Sequence, residues 1–251
     1  MLATVRYAPV CALVAAEVLM PGAASAGDIA RHAVLGFGPD GKTFAFEEYG
    51  VQDGSGFPYS SIYVIDTDTD SWVSDTPVRV LLEDETAPLA AARTQAHREV
   101  APILQHYGVT EPAIALAANP LGEYTADPVS VSFGQPFPTT PMKTPTRRFT
   151  AALEVFDATT PERDCETYIG GMPKGFRLTI TNRESTTVAV LHQDGQTIPG
   201  SRGCPITYRI SEISVRDFYP ARKVAVILSV FRPGFEGPDR RFIAVTGTLP
   251  E

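Results

Sequence analysis

From Ala33 to Val73 the chain sets short apolar runs between turn-forming residues: Val34–Phe37, Thr43–Glu47, Ile62–Asp66 and Trp72-Val73. That pattern predicts a β meander. Its first turn is Gly38-Pro39-Asp40-Gly41, where proline presets φ and glycine accepts a positive φ. The next loop, Gly50–Tyr59, is long for a hairpin and carries glycines, a proline and two aromatics. Asp84–Val100 has helical spacing instead, with Leu89, Ala92, Ala96 and Val100 on one face, Thr86 as N-cap and Pro88 in the first turn. Arg93 falls near that apolar face. Pro102 is expected to break the helix, leaving Ile103–Tyr107 as a separate turn before Gly108.

Six prolines between Asn119 and Thr146 exclude helix and central strand there, although Val129–Phe133 fits a short edge strand. Gly134–Thr146 reads as an extended connector, or as a strap across one domain. Beyond it the period is two: Phe149, Ala151, Leu153 and Val155 face one way, and Phe176, Leu178 and Ile180 alternate with polar residues. Asn182–Ser185 joins the latter strand to Thr187–Leu191 as a hairpin. Ile206, Tyr208 and Ile210 are out of phase with Ile213 and Val215, so a bulge is expected near Ser211-Glu212. Val224–Phe231 is apolar throughout, which predicts a central strand covered on both faces, with Phe242–Thr246 beside it. No helix is expected after the connector. The fold class is therefore mainly β, with antiparallel sheets arranged as a propeller-blade-like meander or a β-sandwich and one helical segment. The divisions are residues 1–26, the meander and helix over 27–118, the Pro-rich stretch 119–146, and an antiparallel region over 147–251 packed with the N-terminal part.

The first 26 residues change the picture. Arg6 precedes the apolar run Val10–Met20, then come Pro21, Gly22 and Ala24-Ser25-Ala26, which reads as a secretory signal peptide cleaved after Ala26. Glu17 interrupts the run, and a buried N-terminal helix is the alternative, but such a helix has no need of the small-residue exit site. The expected location is periplasmic or secreted. The net charge of −8, with only scattered basic pairs such as Arg147-Arg148 and Arg240-Arg241, makes the chain a poor phosphate-backbone binder. Cys11 leaves with the leader, so Cys165 and Cys204 remain for a disulfide in an oxidising compartment. A redox pair or metal site is disfavoured, since Cys165 has no nearby cysteine or histidine. On the chain-entropy account the bridge stabilises by about 3–4 kcal/mol.

The candidate chemistry is sparse. Asp66-Thr67-Asp68-Thr69-Asp70 opens like a Ca²⁺ loop, but Ser71 and Pro77 stand where glycine and a bidentate glutamate are needed, so an acidic turn is expected. His32, His97, His106 and His192 form no chelating or catalytic spacing. Glu47 and Glu48 are adjacent on a strand and so point to opposite faces. Glu48, Tyr49, Asp53, Phe57 and Tyr59 are the residues expected to line any ligand groove. Ser55 and Ser201, in glycine-flanked loops, are nucleophile candidates by default. No cofactor or metal is expected.

Gly38-Pro39-Asp40-Gly41-Lys42-Thr43-Phe44-Ala45-Phe46 followed by Ile62–Asp66 resembles a repeat of the TolB-type β-propeller, echoed by Gly237-Pro238-Asp239 before Phe242–Val245. The chain as a whole, with its exported start and its Phe44-Ala45-Phe46-Glu47-Glu48-Tyr49-Gly50 segment, resembles a family of predicted secreted bacterial proteins of unknown function. That resemblance implies export and a shared fold, and carries no activity. The expected function is a non-enzymatic binding or structural module of the cell envelope with a protein or saccharide partner. The alternative is a periplasmic hydrolase whose site assembles only in three dimensions.

Overall fold

A computed structural model describes residues 27–135, 147–219, 221–235 and 237–251; the expected leader and most of the connector lie outside them. In chain order the elements are β1 (Arg31–Phe37), β2 (Thr43–Val51), β3 (Pro58–Asp66), β4 (Ser71–Trp72), β5 (Val78–Leu81), α1 (Leu89–His106), β6 (Ile114–Ala118) and β7 (Ser130–Gly134). Then follow β8 (Arg148–Asp157), α2 (Cys165–Ile169), β9 (Lys174–Asn182), β10 (Val188–Gln193), a 3₁₀ turn at Gly200–Arg202, β11 (Thr207–Val215), β12 (Lys223–Arg232) and β13 (Asp239–Thr248). They build three antiparallel sheets: an N-terminal sheet ordered β1-β2-β3-β4 with β5 also on β3, a middle sheet ordered β13-β12-β11-β6, and an outer sheet ordered β10-β9-β8-β7.

The strand periodicities decide how these sheets stack. On β12, Val224, Val226, Leu228 and Val230 pack with Phe149, Leu153, Phe176 and Leu178 of the outer sheet. Its intervening residues Ala225 and Ile227 pack with Phe37, Phe44 and Phe46 of the N-terminal sheet. An apolar run without alternation thus serves two cores, as expected for a strand covered on both faces. The far face of the N-terminal sheet, through Ala45, Ile62 and Val64, receives Ala92, Ala96 and Val100 of α1. The order through the molecule is helix, N-terminal sheet, middle sheet, outer sheet. The pairing of β11 with β12 slips between Ile210 and Glu212, so Ile210 and Ile213 both reach the same core across the expected bulge. β7 is an edge strand of the outer sheet, opposite β10.

Some expectations are corrected. The propeller likeness is not shown: the sheets stack as layers without closing round an axis. α1 begins after Pro88 and runs through Pro102 to His106 as one helix. Pro102 deprives the Arg98 carbonyl of its donor, but both residues are exposed, so water takes that place. Thr86 does not cap; its N–H and hydroxyl both donate to Asp84 Oδ1, at 2.9 and 2.7 Å. The second half does contain a helix, α2, too short to show a helical period, ended by Gly170 at φ 65°. β6, rich in alanine, has little strand propensity of its own and is held by its ladder on β11. Cys165 and Cys204 form a disulfide that joins α2 to the segment after the 3₁₀ turn.

A charged cleft between the sheets as candidate functional site

On β2 the period of two sends Glu47 and Glu48 to different layers, as their adjacency predicts. Glu47, wholly buried, faces α1 and accepts from Arg93 Nε at 2.9 Å, Arg93 Nη2 at 2.8 Å and Ser60 Oγ at 2.8 Å; His97 Nε2 lies 3.0 Å away. Tyr49 lies on this side too, under the Arg93 guanidinium at 3.8 Å. Burial alone would raise the Glu47 carboxyl, but the bonds from Arg93, His97 and Ser60 outweigh it and hold it below its ordinary value. This cluster fastens the helix to the sheet.

Glu48 faces the middle sheet and opens on a cleft of about 630 Å³, within the range of ligand sites. Its Oε2 accepts the Phe242 N–H at 2.5 Å. Burial pushes this carboxyl up, against the pull of that N–H and the Arg241 and Arg232 charges. Nearby, Asp28 accepts from Tyr59 Oη at 3.0 Å and from Arg241 Nη2 at 2.5 Å. Tyr63 and Trp72 supply an aromatic wall, their centroids 5.7 Å apart, and burial pushes the Tyr63 hydroxyl up to about 12.

The opposite wall comes from the outer sheet. His192 Nε2 lies 3.0 Å from Asp194 Oδ1 and 2.9 Å from Arg202 Nη2, with Asp70 3.8 Å from its Nδ1 and the Phe176 ring stacked at 4.7 Å. Protonated, Nε2 donates to Asp194; neutral, it can accept from Arg202. Burial alone would lower the imidazole, but the Asp194 and Asp70 carboxylates outweigh it and raise it above the usual 6.5. A raised value stabilises the fold fully below pH 6.5, and that contribution is lost as the pH rises through the folded-state value. Thermal melts should therefore show wild type losing more stability than His192→Gln between about pH 6 and about pH 8. Equal losses would show that the ring's charge does not couple to folding.

Four arginines line the cleft, Arg79, Arg202, Arg232 and Arg241, against two carboxylates, Glu48 and Asp70. Arg202 is paired with Asp194 and Arg241 with Asp28. Arg79 lies over the Trp72 ring at 5.8 Å. Arg232 sends Nη2 to the Ser201 carbonyl at 3.3 Å, its buried Nε has no hydrogen-bond partner, and it makes no ion pair among the described residues. Burial pushes its guanidinium below the ordinary value, against the attraction of Glu48.

Of the residues expected at a groove, Glu48 and Tyr59 line the cleft; Tyr49, Asp53 and Phe57 do not. Asp53 is exposed in its loop. Ser201 is at the rim, whereas Ser55 Oγ donates to Gln52 Oε1 at 3.0 Å, and neither is bonded to a histidine. His32 pairs with Glu212 at 3.0 Å. Asp66 Oδ1 closes the acidic turn by accepting the N–H groups of Asp68 and Thr69 at 2.9 and 3.0 Å. Asp70, in contrast, leaves the turn to accept the Thr246 N–H at 2.7 Å. Glu48 and Asp70 are thus anchored four residues apart on β13, a rise of roughly 13 Å. Paired-carboxylate hydrolysis needs about 5–10 Å.

The arginines were missed by reasoning from the sequence. Their signal is a cation interrupting or ending an apolar run: Arg79 inside Val78–Leu81, and Arg232 closing Val224–Phe231. Such a residue must either snorkel to water or meet a partner.

The architecture defines the class: a stacked-sheet β protein with a charged cleft where the three sheets converge. The chain belongs to the DUF2259 family of predicted secreted proteins, whose model matches residues 45–248. That description agrees with the export read from the leader, and no helix among the described residues is long and apolar enough to cross a membrane. A search of curated proteins found no match.

Proposed function

We propose that this secreted protein is a non-enzymatic binding module that holds an anionic group of its ligand at Arg232 and Arg79, with an apolar or aromatic portion against Tyr63 and Trp72. The observation that carries the reading is Arg232, a partly buried cation with a buried, orphaned Nε and no ion-pair partner among the described residues. Such a group is costly to the fold and is relieved by a bound anion. Either partner class expected from the sequence, a protein or a saccharide, can present a carboxylate. The anchoring of Glu48 and Asp70 far apart on β13 does not support the hydrolase alternative.

Calorimetric titration with succinate, beside Arg232→Met, tests the reading. The variant should bind at least about tenfold more weakly, the loss expected for one charge-assisted bond. It should also melt no lower than wild type, because a partly buried cation with no ion pair among the described residues costs the fold. No binding by wild type, or equal binding by the variant, would overturn the proposal.

A further inference from the structure

β13 is the last strand of the middle sheet, and β12 occupies its inner edge. On the outer edge, alternate residues turn their backbone groups away from the sheet. Arg240 uses them on the leading segment, donating to the Asp28 carbonyl at 2.9 Å and accepting the Ala30 N–H at 3.1 Å. Glu48 takes the Phe242 N–H and Asp70 the Thr246 N–H. Ala244 falls between them in the same alternation, and among the described residues nothing is bonded to its outward N–H and C=O. It lines the cleft. Open strand edges invite pairing, and proteins cover them or block them with charge. Here the two carboxylates block the N–H on either side and leave a gap one residue wide. The small side chain at the gap keeps it accessible, and it opens on the same space as Arg232 and Arg79.

We infer that the occupant is an extended peptide with an acidic group. One of its residues exchanges both backbone hydrogen bonds with Ala244, and its carboxylate reaches Arg232. This is strand addition confined to a short edge. The acidic end rests on the anion site proposed above; the backbone pairing rests on the β13 edge. The occupant is therefore specified by main chain and charge together, which a saccharide acid cannot reproduce.

The experiment titrates the protein with a blocked pentapeptide of alternating valine and aspartate, with its analogues methylated at each backbone nitrogen in turn, and with succinate. Methylation at the one nitrogen that faces Ala244 should weaken binding about tenfold or more, and at the adjoining nitrogens little, since neighbouring N–H groups point away from the partner strand and the edge is open for a single residue. Ala244→Pro should weaken the peptide and leave succinate unchanged, because it removes only the outward N–H of an edge residue. Methylated and parent peptides binding alike would overturn the inference. So would succinate bound and lost in Arg232→Met with no peptide bound, which leaves the anion site standing alone. If neither probe binds, both readings fall.

Discussion

Replacing Cys165 and Cys204 together by serine should lower the melting temperature by roughly 6–16 °C, from a loss of about 3–4 kcal/mol at about 2–4 °C per kcal/mol in a domain of this size. The bridge closes a 39-residue segment, and that segment holds β9, β10 and the 3₁₀ turn. Freed of it, the unfolded chain gains conformations that the folded chain cannot match. The effect has a second face at the site: His192, Asp194 and Arg202 all lie within the closed segment. A reductant should therefore reproduce the shift in wild type and do nothing further to the double variant. A shift under about 2 °C would mean that native contacts alone hold the segment, contrary to the entropic account.

Glu47→Ala should cost about 3 kcal/mol, near the lower end for breaking a buried ion pair, because Arg93 is partly exposed and can recover water. Ser60 cannot, since it is fully buried and its hydroxyl would lose its acceptor. Glu47→Gln keeps an acceptor of the same shape and should retain part of the loss. Since the folded-state value is depressed, the carboxylate's contribution is complete above about 4.5 and fades as the pH falls through the lower native value. The measurement is urea unfolding at neutral and acid pH with hydrogen exchange in α1. If the helix amides exchange as slowly in Glu47→Ala as in wild type, the carboxylate does not fasten the helix.

The pattern of apolar residues made the layers legible wherever burial is one-dimensional. β12 could be recognised as central because Val224–Phe231 has no polar face, and the bulge because Ile210 and Ile213 fall out of phase. Chain-local rules failed where tertiary contacts decide. Ile114–Ala118 is a strand only because β11 offers it a ladder, and Pro102 is tolerated only because its turn faces water. The site was half legible for the same reason. Glu48 and Tyr59 come from one hairpin, in which Gly50 pairs with Tyr59, so their proximity could be read from the loop between them. Arg79, His192, Arg202 and Arg232 come from four other stretches, and no spacing along the chain announces that the sheets fold them onto one cavity. Tyr49 was misplaced by proximity alone; the alternation that separates Glu47 from Glu48 sends it to the helix side.

The strand pairing has a consequence for a chain cut within residues 136–146. β6 and β7 precede that stretch, yet β6 pairs with β11 and β7 with β8. The N-terminal sheet also shares its core with Ala225, Ile227 and Phe242 from the other side of the cut. Each fragment would present the other with open sheet edges and half of a greasy interface. Two such pieces, made separately, form a natural complementation pair, each recognising its counterpart through the seams that the intact chain closes within itself.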